Sequence, residues 1–230
     1  MQAFEAICSA SLGVINLLHL RARLSHDPGL REACHRAYWV CYLLQYELKP
    51  HVSYSTQPLR SYQDKVPLPF SAHDEPGMWW FLSEIALRKI YVSVAEHVGY
   101  ESRMIFGPLI ADELSSQIWA WYTSLPRDVK FPLGSGMLLD PRKAFLRGQF
   151  YSILSITKWP STVHLLAAGE DSVETQWHRR AAEEAIEYML LHIQCVVGLM
   201  QERHILLFAN IIGYVCLTRS SIPEGTQSSE

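Results

Sequence analysis

Apolar residues recur along most of the chain at intervals of three and four positions, a spacing that places them on one face of an α-helix. The alternation of apolar and polar residues that is typical of β-strands is weak, and no short hairpin turn joins two alternating runs. The clearest helical stripes are Trp79, Leu82, Ala86, Ile90 and Val94; Ile110, Leu114, Ile118, Trp121 and Leu125; and Leu146, Phe150, Ile153 and Leu154. The pattern therefore predicts an all-α protein.

Prolines and glycines mark where the helices of the N-terminal half end. We predict a first helix over about 4–24, a turn over 25–29 that contains a proline and a glycine, and a second helix over about 30–48. This second helix ends before the next proline, because the residue before a proline is pushed out of the helical region. Five prolines within 50–77 predict an extended surface loop, and a third helix begins near Met78.

Two further helices have clear boundaries in the C-terminal half. Pro108 lies near the start of the fourth helix and Pro126 ends it. Asp140–Pro141 predicts a cap and the first turn of the fifth helix. The Trp159–Pro160 pair is predicted to break that helix, and a short helix resumes at Ser161.

A long helix follows, with Asp171 and Glu174 placed as a capping box at its start. The residues that we expect to face inward along it are Trp177, Ala181, Ile186, Met189, Ile193, Val196 and Met200. A last apolar helix covers about 204–217, and the Ser-rich and Gly-rich tail over 220–230 is predicted to be disordered. In total, the pattern predicts one helical domain over 1–219 with about seven to eight helices.

The composition is that of a folded protein without a basic surface. Of the 230 residues, 49% are hydrophobic and 19% are charged, which excludes a disordered chain. The net charge is −3, whereas a protein that binds nucleic acid by itself normally carries an excess of basic residues. The longest apolar run, 205–217, is shorter than the roughly 20 residues of a membrane-spanning helix. We therefore expect no direct DNA contact by this chain alone and no membrane segment.

Residues that bind metals in other proteins are present, but they do not form a metal-binding pattern. His26–Asp27 and His73–Asp74 fall in predicted loops, where His and Asp serve as turn and cap residues. The cysteines include no Cys-x-x-Cys pair and are expected to be buried free thiols. They are Cys8, Cys34, Cys41, Cys195 and Cys216. We expect no metal site.

No pattern identifies a catalytic centre either. The chain has neither a phosphate-binding Gly-Lys-Ser/Thr loop nor a Gly-x-Ser-x-Gly turn, and Gly134–Gly136 is interpreted as a flexible turn. His178–Arg180 is too small a basic cluster to bind DNA. Neighbouring carboxylates on a helix point in different directions, so the acidic pairs are expected to be solvated. These pairs are Asp74–Glu75, Asp112–Glu113, Glu170–Asp171 and Glu183–Glu184. We name no catalytic or cofactor-binding residue and expect no cofactor.

Aromatic residues are numerous and lie mostly at helical spacing. We expect them to fill the core, and a pocket for an apolar ligand is the alternative. The residues in question are Trp39, Trp79, Trp80, Trp119, Trp121, Trp159 and Trp177, with Tyr38, Tyr42, Tyr91 and Tyr122.

Five short segments carry motifs in a fixed order. The first is His35–Leu44, with a basic-aromatic-Trp pattern, and the second is the Pro-Leu-Pro loop Val66–Pro69, which follows Tyr62–Asp64. The third is Phe81–Ile90, and the fourth is Trp121–Pro126 together with Phe131–Pro132. The fifth is Leu146–Tyr151, which leads to Trp159–Pro160. In order and spacing they resemble the regulatory middle region of fungal zinc-cluster transcription factors. Phe81–Ile90 is the most specific match, and the resemblance spans roughly 33–166, well over half of the chain.

The resemblance implies a nuclear regulatory domain that controls a metabolic or biosynthetic gene set and is not an enzyme. It implies a protein partner, either a zinc-cluster regulator or a coregulator, and allows a small apolar ligand. The six-cysteine DNA-binding cluster of the family is absent from these 230 residues, so we expect a truncated regulator. Two alternatives remain open: an all-α enzyme or accessory protein of a fungal biosynthetic pathway, and a truncated regulator without function.

Overall fold

The structure is a computed structural model that describes residues 27–48, 62–71, 76–97, 108–167 and 173–201, together with Gly13 and Leu59. Five helices and no strand occupy these residues, which confirms the all-α prediction for this part of the chain. The helices are α1 (Pro28–Leu48), α2 (Pro76–His97), α3 (Pro108–Ser124), α4 (Pro141–Ala167) and α5 (Val173–Gln201).

Several predicted features lie outside the described residues. They are the helices over 4–24 and 204–217, the side chains of the Asp171–Glu174 capping box and the tail over 220–230. The count of seven to eight helices therefore stays a prediction. Within the chain, two compact units are distinguished, Met1–Ala86 and Leu87–Glu230, and their boundary falls inside α2.

In the first unit, α1 begins two residues earlier than predicted. Pro28 occupies the first turn, where its missing N–H costs no hydrogen bond. The carboxylate Oδ1 of Asp27 accepts a hydrogen bond from Leu30 N at 3.0 Å, and its carbonyl oxygen accepts one from Arg31 N at 3.0 Å. The proline and glycine predicted to form a turn are therefore the first residues of the helix, and the aspartate of the first His-Asp pair is its cap.

Three aromatic side chains of α1 hold the following loop against the helix. Tyr38, Trp39 and Tyr42 are each 0% exposed, and their ring centroids lie 5.1–6.4 Å apart. Their polar atoms bind the loop, with Tyr38 Oη donating to Leu59 O at 2.6 Å, Trp39 Nε1 to Pro67 O at 2.9 Å and Tyr42 Oη to Gln63 Oε1 at 2.9 Å. Each buried polar atom thus has a partner, which offsets the cost of removing it from water.

The helix α2 is enclosed on more than one side. The predicted stripe places Ala86 inward, but Ala86 is exposed, whereas Ile85 and Leu87 are each 1% exposed. The charged residues Glu84 and Arg88 are buried as well, at 3% and 5% exposure. The predicted stripe is therefore wrong at Ala86, whereas Val94 is 0% exposed as predicted and Trp79, Leu82 and Ile90 are half-buried. Apolar periodicity does not indicate the burial of charged residues such as Glu84 and Arg88.

In the second unit, the inward faces of α3 and α4 agree with the predicted stripes except at one position. Ile110 is 40% exposed, and Ala111 takes the buried position in the first turn of α3. Asp140 caps α4, because its Oδ1 accepts a hydrogen bond from Arg142 N at 2.9 Å and its carbonyl accepts one from Ala144 N at 3.0 Å. The stripe residues buried as predicted are Leu114, Ile118, Trp121, Leu125, Leu146, Phe150, Ile153 and Leu154.

The helix α4 continues through Pro160, so the predicted break there and the new start at Ser161 were wrong. A proline inside a helix removes one backbone hydrogen bond and crowds the preceding turn, at a cost of about 3 kcal/mol. Side chains on both sides of this proline bind α5, which offsets part of this cost. Lys158 Nζ lies 2.9 Å from Glu184 Oε2, and Ser161 Oγ lies 3.2 Å from His178 Nδ1.

The helices α4 and α5 form an antiparallel pair along much of their length. As the residue number rises along α4, the number of the paired residue falls by nearly the same amount along α5, so the register is constant. The hydrogen-bonded pairs that define it are Gly148 O with His192 Nδ1 at 2.8 Å, Ser155 Oγ with Ala185 O at 2.8 Å, and Ser161 Oγ with His178 Nδ1 at 3.2 Å. The small buried residues Ala181, Ala182 and Ala185 allow the two backbones to approach closely.

The predicted inward face of α5 is confirmed only in part. Ala181 and Val196 are buried and Trp177 and Met189 are half-buried, whereas Ile186 and Ile193 are 45% and 44% exposed. The positions facing α4 carry smaller or hydrogen-bonding side chains instead. Because α4 packs closely against this face of α5, the face accommodates small or hydrogen-bonding side chains. The large aliphatic side chains therefore lie on the other side of α5.

Candidate functional site

The second unit contains a closed group of aromatic rings around Phe150. This side chain is 0% exposed, and its ring lies in contact with rings from α3, from the loop after α3 and from α4. The centroid distances are 5.1 Å to Trp119, 6.2 Å to Trp121, 5.3 Å to Tyr122, 5.8 Å to Phe131 and 5.4 Å to Tyr151. Rings at these distances pack against one another, so these aromatic residues form a core rather than the lining of a pocket.

Beside the aromatic group, buried polar atoms meet around Arg147. Its side chain is 2% exposed although it carries a guanidinium group. Its Nη2 donates a hydrogen bond to Gly136 O, and the side chain also hydrogen-bonds Cys195 Sγ. One turn further along α4, Tyr151 Oη accepts a hydrogen bond from Gly134 N at 2.6 Å. This arrangement, the Arg147 cluster, joins α4, α5 and the loop before α4.

The titratable groups next to Arg147 keep their protons at neutral pH. Burial raises the pKa of the Cys195 thiol, and the neighbouring Arg147 only opposes that shift. Burial also raises the pKa of the Tyr151 hydroxyl, against the hydrogen bond from Gly134. Neither group therefore supplies negative charge to the guanidinium, and the thiol is not an activated nucleophile.

His192 lies on the same face of α5 and connects the two helices. Burial lowers its pKa, while the hydrogen bond to Gly148 O opposes the shift, so the ring is neutral at pH 7. A carbonyl oxygen only accepts hydrogen bonds, and Nδ1 must therefore carry the proton at its distance of 2.8 Å from Gly148 O. This geometry makes the imidazole a link between α4 and α5.

The sequence analysis did not identify the Arg147 cluster, because a charged residue is rarely buried and hydropathy gives no sign of it. One signal was available in the spacing along α4. Arg147, Tyr151 and Ser155 follow one another at intervals of four, the same interval as the apolar stripe, and all three are buried. Polar residues that continue an inward stripe are candidates for a buried network.

A buried carboxyl group lies in the first unit. Burial raises the pKa of Glu84 from 4.5 to about 8. Between these two pH values the folded chain holds a proton on this carboxyl that the unfolded chain has released. The stabilisation linked to this proton is therefore complete below about pH 4.5 and is lost as the pH rises to 8.

We expect the free energy of unfolding to fall by about 3 kcal/mol between about pH 5 and pH 8 because of this group. The substitution Glu84→Gln places a neutral amide there at every pH and should remove this part of the pH dependence. Urea unfolding of both proteins at the two pH values measures the difference. Equal pH dependence in the two proteins would contradict the assignment.

Apart from Cys195 beside Arg147, the sequence candidates that the structure describes do not meet in one place. Cys34, Cys41 and Cys195 are buried free thiols, as predicted. Arg179 and Arg180 are exposed, and Arg180 pairs with Glu184 at 3.2 Å. Asp112, Glu113 and Glu183 are exposed. The remaining candidates, Cys8, Cys216, His26, His73, Asp74, Glu75, Glu170 and Asp171, lie outside the described residues.

No three His, Cys, Asp or Glu side chains in the described part of the chain are arranged to hold a metal ion. Each helix in the described ranges lacks the extended apolar stretch that a membrane-spanning helix requires.

Comparison with known proteins adds no relative. No protein-family model, no curated protein and no solved structure matches the chain.

Proposed function

We propose that the chain is a helical regulatory domain of the zinc-cluster transcription factor type, which acts in the nucleus through contact with a partner protein. The observation that carries this proposal is that the segments of the resemblance pack against one another. In the first unit, Trp39 of the His35–Leu44 segment donates its hydrogen bond to Pro67, and Tyr42 donates to Gln63.

The second unit repeats this arrangement. Trp121 and Tyr122 belong to one segment of the resemblance, and their rings contact Phe131, which follows in the same segment, at 6.3 and 5.1 Å. Both rings also contact Phe150 of the next segment, at 6.2 and 5.3 Å. Motifs that meet in space are what a shared fold requires, so the packing supports common ancestry with the regulator family.

The side of α5 away from α4 offers a surface for the partner. Ile186, Leu190, Ile193 and Val197, the α5 apolar stripe, are each 44–55% exposed. They follow one another at intervals of four, three and four residues, as along the seam between two packed helices. An amphipathic helix of the partner protein with the same spacing fits this surface.

The Arg147 cluster supports an enzymatic role less well than a binding role. A nucleophile or general base must be deprotonated near neutral pH, and burial holds protons on both Cys195 and Tyr151. These groups are suited to binding, not to proton transfer.

A reporter assay tests the proposal. The full chain is fused to an unrelated DNA-binding domain whose site lies upstream of a reporter gene in a fungal cell. We expect reporter expression to change relative to the DNA-binding domain alone. Leu190→Glu, which places a charge in the α5 apolar stripe, should abolish the change.

Leu166→Glu is the matched control, because this leucine of α4 is 86% exposed and lies outside the stripe. We expect it to leave the reporter response intact. A fusion that is expressed and nuclear but leaves the reporter unchanged contradicts a regulatory role. A response that survives Leu190→Glu contradicts the assignment of the stripe.

A further inference from the structure

Arg147 places a positively charged guanidinium group in the interior of the second unit. The side chain is 2% exposed. Removing a charged group from water costs several kcal/mol unless an opposite charge lies beside it.

The described neighbours of Arg147 supply no such charge. The guanidinium contacts one carbonyl oxygen and one neutral thiol, and its Nε has no hydrogen-bond partner among the described residues. None of the ion pairs found in the described ranges includes it. Lys158, another buried cation of α4, differs because Glu184 Oε2 lies 2.9 Å from its Nζ.

The loop before α4 is hydrogen-bonded to Arg147 and to Tyr151. Gly134 has a φ angle of 94°, which favours glycine, and the loop is held by its hydrogen bond to Tyr151 and by the bond from Arg147 to Gly136 O. A methyl group placed on Gly136 would meet no atom within 4 Å. The loop also exposes Leu133 and Met137, which are 48% and 59% accessible.

We propose that Arg147 binds the carboxylate of a small organic acid, which replaces Gly136 O on the guanidinium and places its apolar part against Leu133 and Met137. A carboxylate accepts two parallel hydrogen bonds from the guanidinium fork and supplies the single negative charge that Arg147 lacks. Gly136 is an exposed residue, so water can bind its carbonyl oxygen once Arg147 releases it. The inference stands on the Arg147 cluster alone and does not depend on the transcriptional proposal.

Thermal unfolding of the full chain with sodium hexanoate tests the site, with hexanamide and sodium chloride at the same concentration as controls. We expect hexanoate alone to raise the midpoint of unfolding by about 2–4 °C at saturating concentration. The variant Arg147→Met should show no rise. No rise in the wild-type protein, or an equal rise in Arg147→Met, overturns the proposal.

The unfolding temperatures of the variants in the absence of any ligand provide a second test. Arg147→Met should unfold at the wild-type temperature or above it, because an apolar side chain of similar length replaces an uncompensated buried cation. Lys158→Met is the matched control on the same helix. It should unfold at a lower temperature because Glu184 loses its partner, yet it should keep the hexanoate response. A fall for Arg147→Met as large as that for Lys158→Met would show that the guanidinium is already compensated, and would overturn the proposal.

Discussion

Replacing Phe150 with alanine lowers the free energy of unfolding of the second unit by about 3–5 kcal/mol. The ring is 0% exposed and contacts five other aromatic rings, so its loss leaves a cavity that their rigid side chains cannot close. Trp119 and Trp121 lie against this ring, at 5.1 and 6.2 Å, and report the transition by their fluorescence. Urea unfolding followed at tryptophan emission measures the effect.

Two further substitutions on α4 test whether the loss of stability comes from the lost packing of the Phe150 ring and not from substitution on this helix in general. Phe150→Leu keeps most of the buried volume and should cost about 1–1.5 kcal/mol. Leu166→Ala removes an 86% exposed side chain from the same helix and should change the stability by no more than about 0.5 kcal/mol. A loss below about 1 kcal/mol for Phe150→Ala would show that the aromatic group is not a packed core.

Replacing Trp39 with alanine lowers the free energy of unfolding of the first unit by about 3–5 kcal/mol. The side chain is 0% exposed, it packs against Tyr38 and Tyr42, and its Nε1 donates a hydrogen bond to Pro67 O at 2.9 Å. The substitution therefore removes both the packing of α1 and one attachment of the loop. We expect trypsin to cleave faster after the exposed Lys65 in this variant, and the cleavage rate measures the release of the loop.

Trp39→Phe distinguishes the two contributions. Phenylalanine keeps a ring in the core but cannot donate to Pro67 O, and the lost hydrogen bond should cost about 1 kcal/mol beyond the change in packing. Leu44→Ala is the control on the same helix, since this side chain is 41% exposed. Unchanged cleavage after Lys65 in Trp39→Ala would contradict the attachment of the loop to α1.

Helical periodicity predicted the fold well where one face of a helix is apolar and the other polar. The buried residues of α3 from Leu114 onward and the stripe of α4 around Phe150 follow from spacing alone. The prediction that Pro160 breaks the helix was wrong, and contacts of α4 with α5 on both sides of the proline offset its local effect. Periodicity failed on α5 because close packing favours small and hydrogen-bonding residues such as Ala185 and His192 over Ile193.

The candidate site was less accessible to sequence reasoning than the fold. Arg147 and Glu84 are charged in water, and a hydropathy pattern therefore assigns both to the surface. Their burial follows from the positions of the helices and loops around them, which no local pattern contains. Aromatic residues at helical spacing were expected in the core, and Trp39 in the first unit and Trp121 in the second unit are both buried.

Photo-crosslinking from the α5 apolar stripe tests the central claim most directly. A photoreactive amino acid replaces Leu190 in the full chain, the protein is irradiated in fungal nuclei, and the linked peptides are identified by mass spectrometry. A matched probe at Leu166 reports contacts made by any exposed position. We predict links from position 190, and not from position 166, to a helix of a protein that carries a six-cysteine zinc cluster or to a coregulator of such a protein. Links from position 190 only to this chain itself, or only to proteins without a role in transcription, would contradict the account.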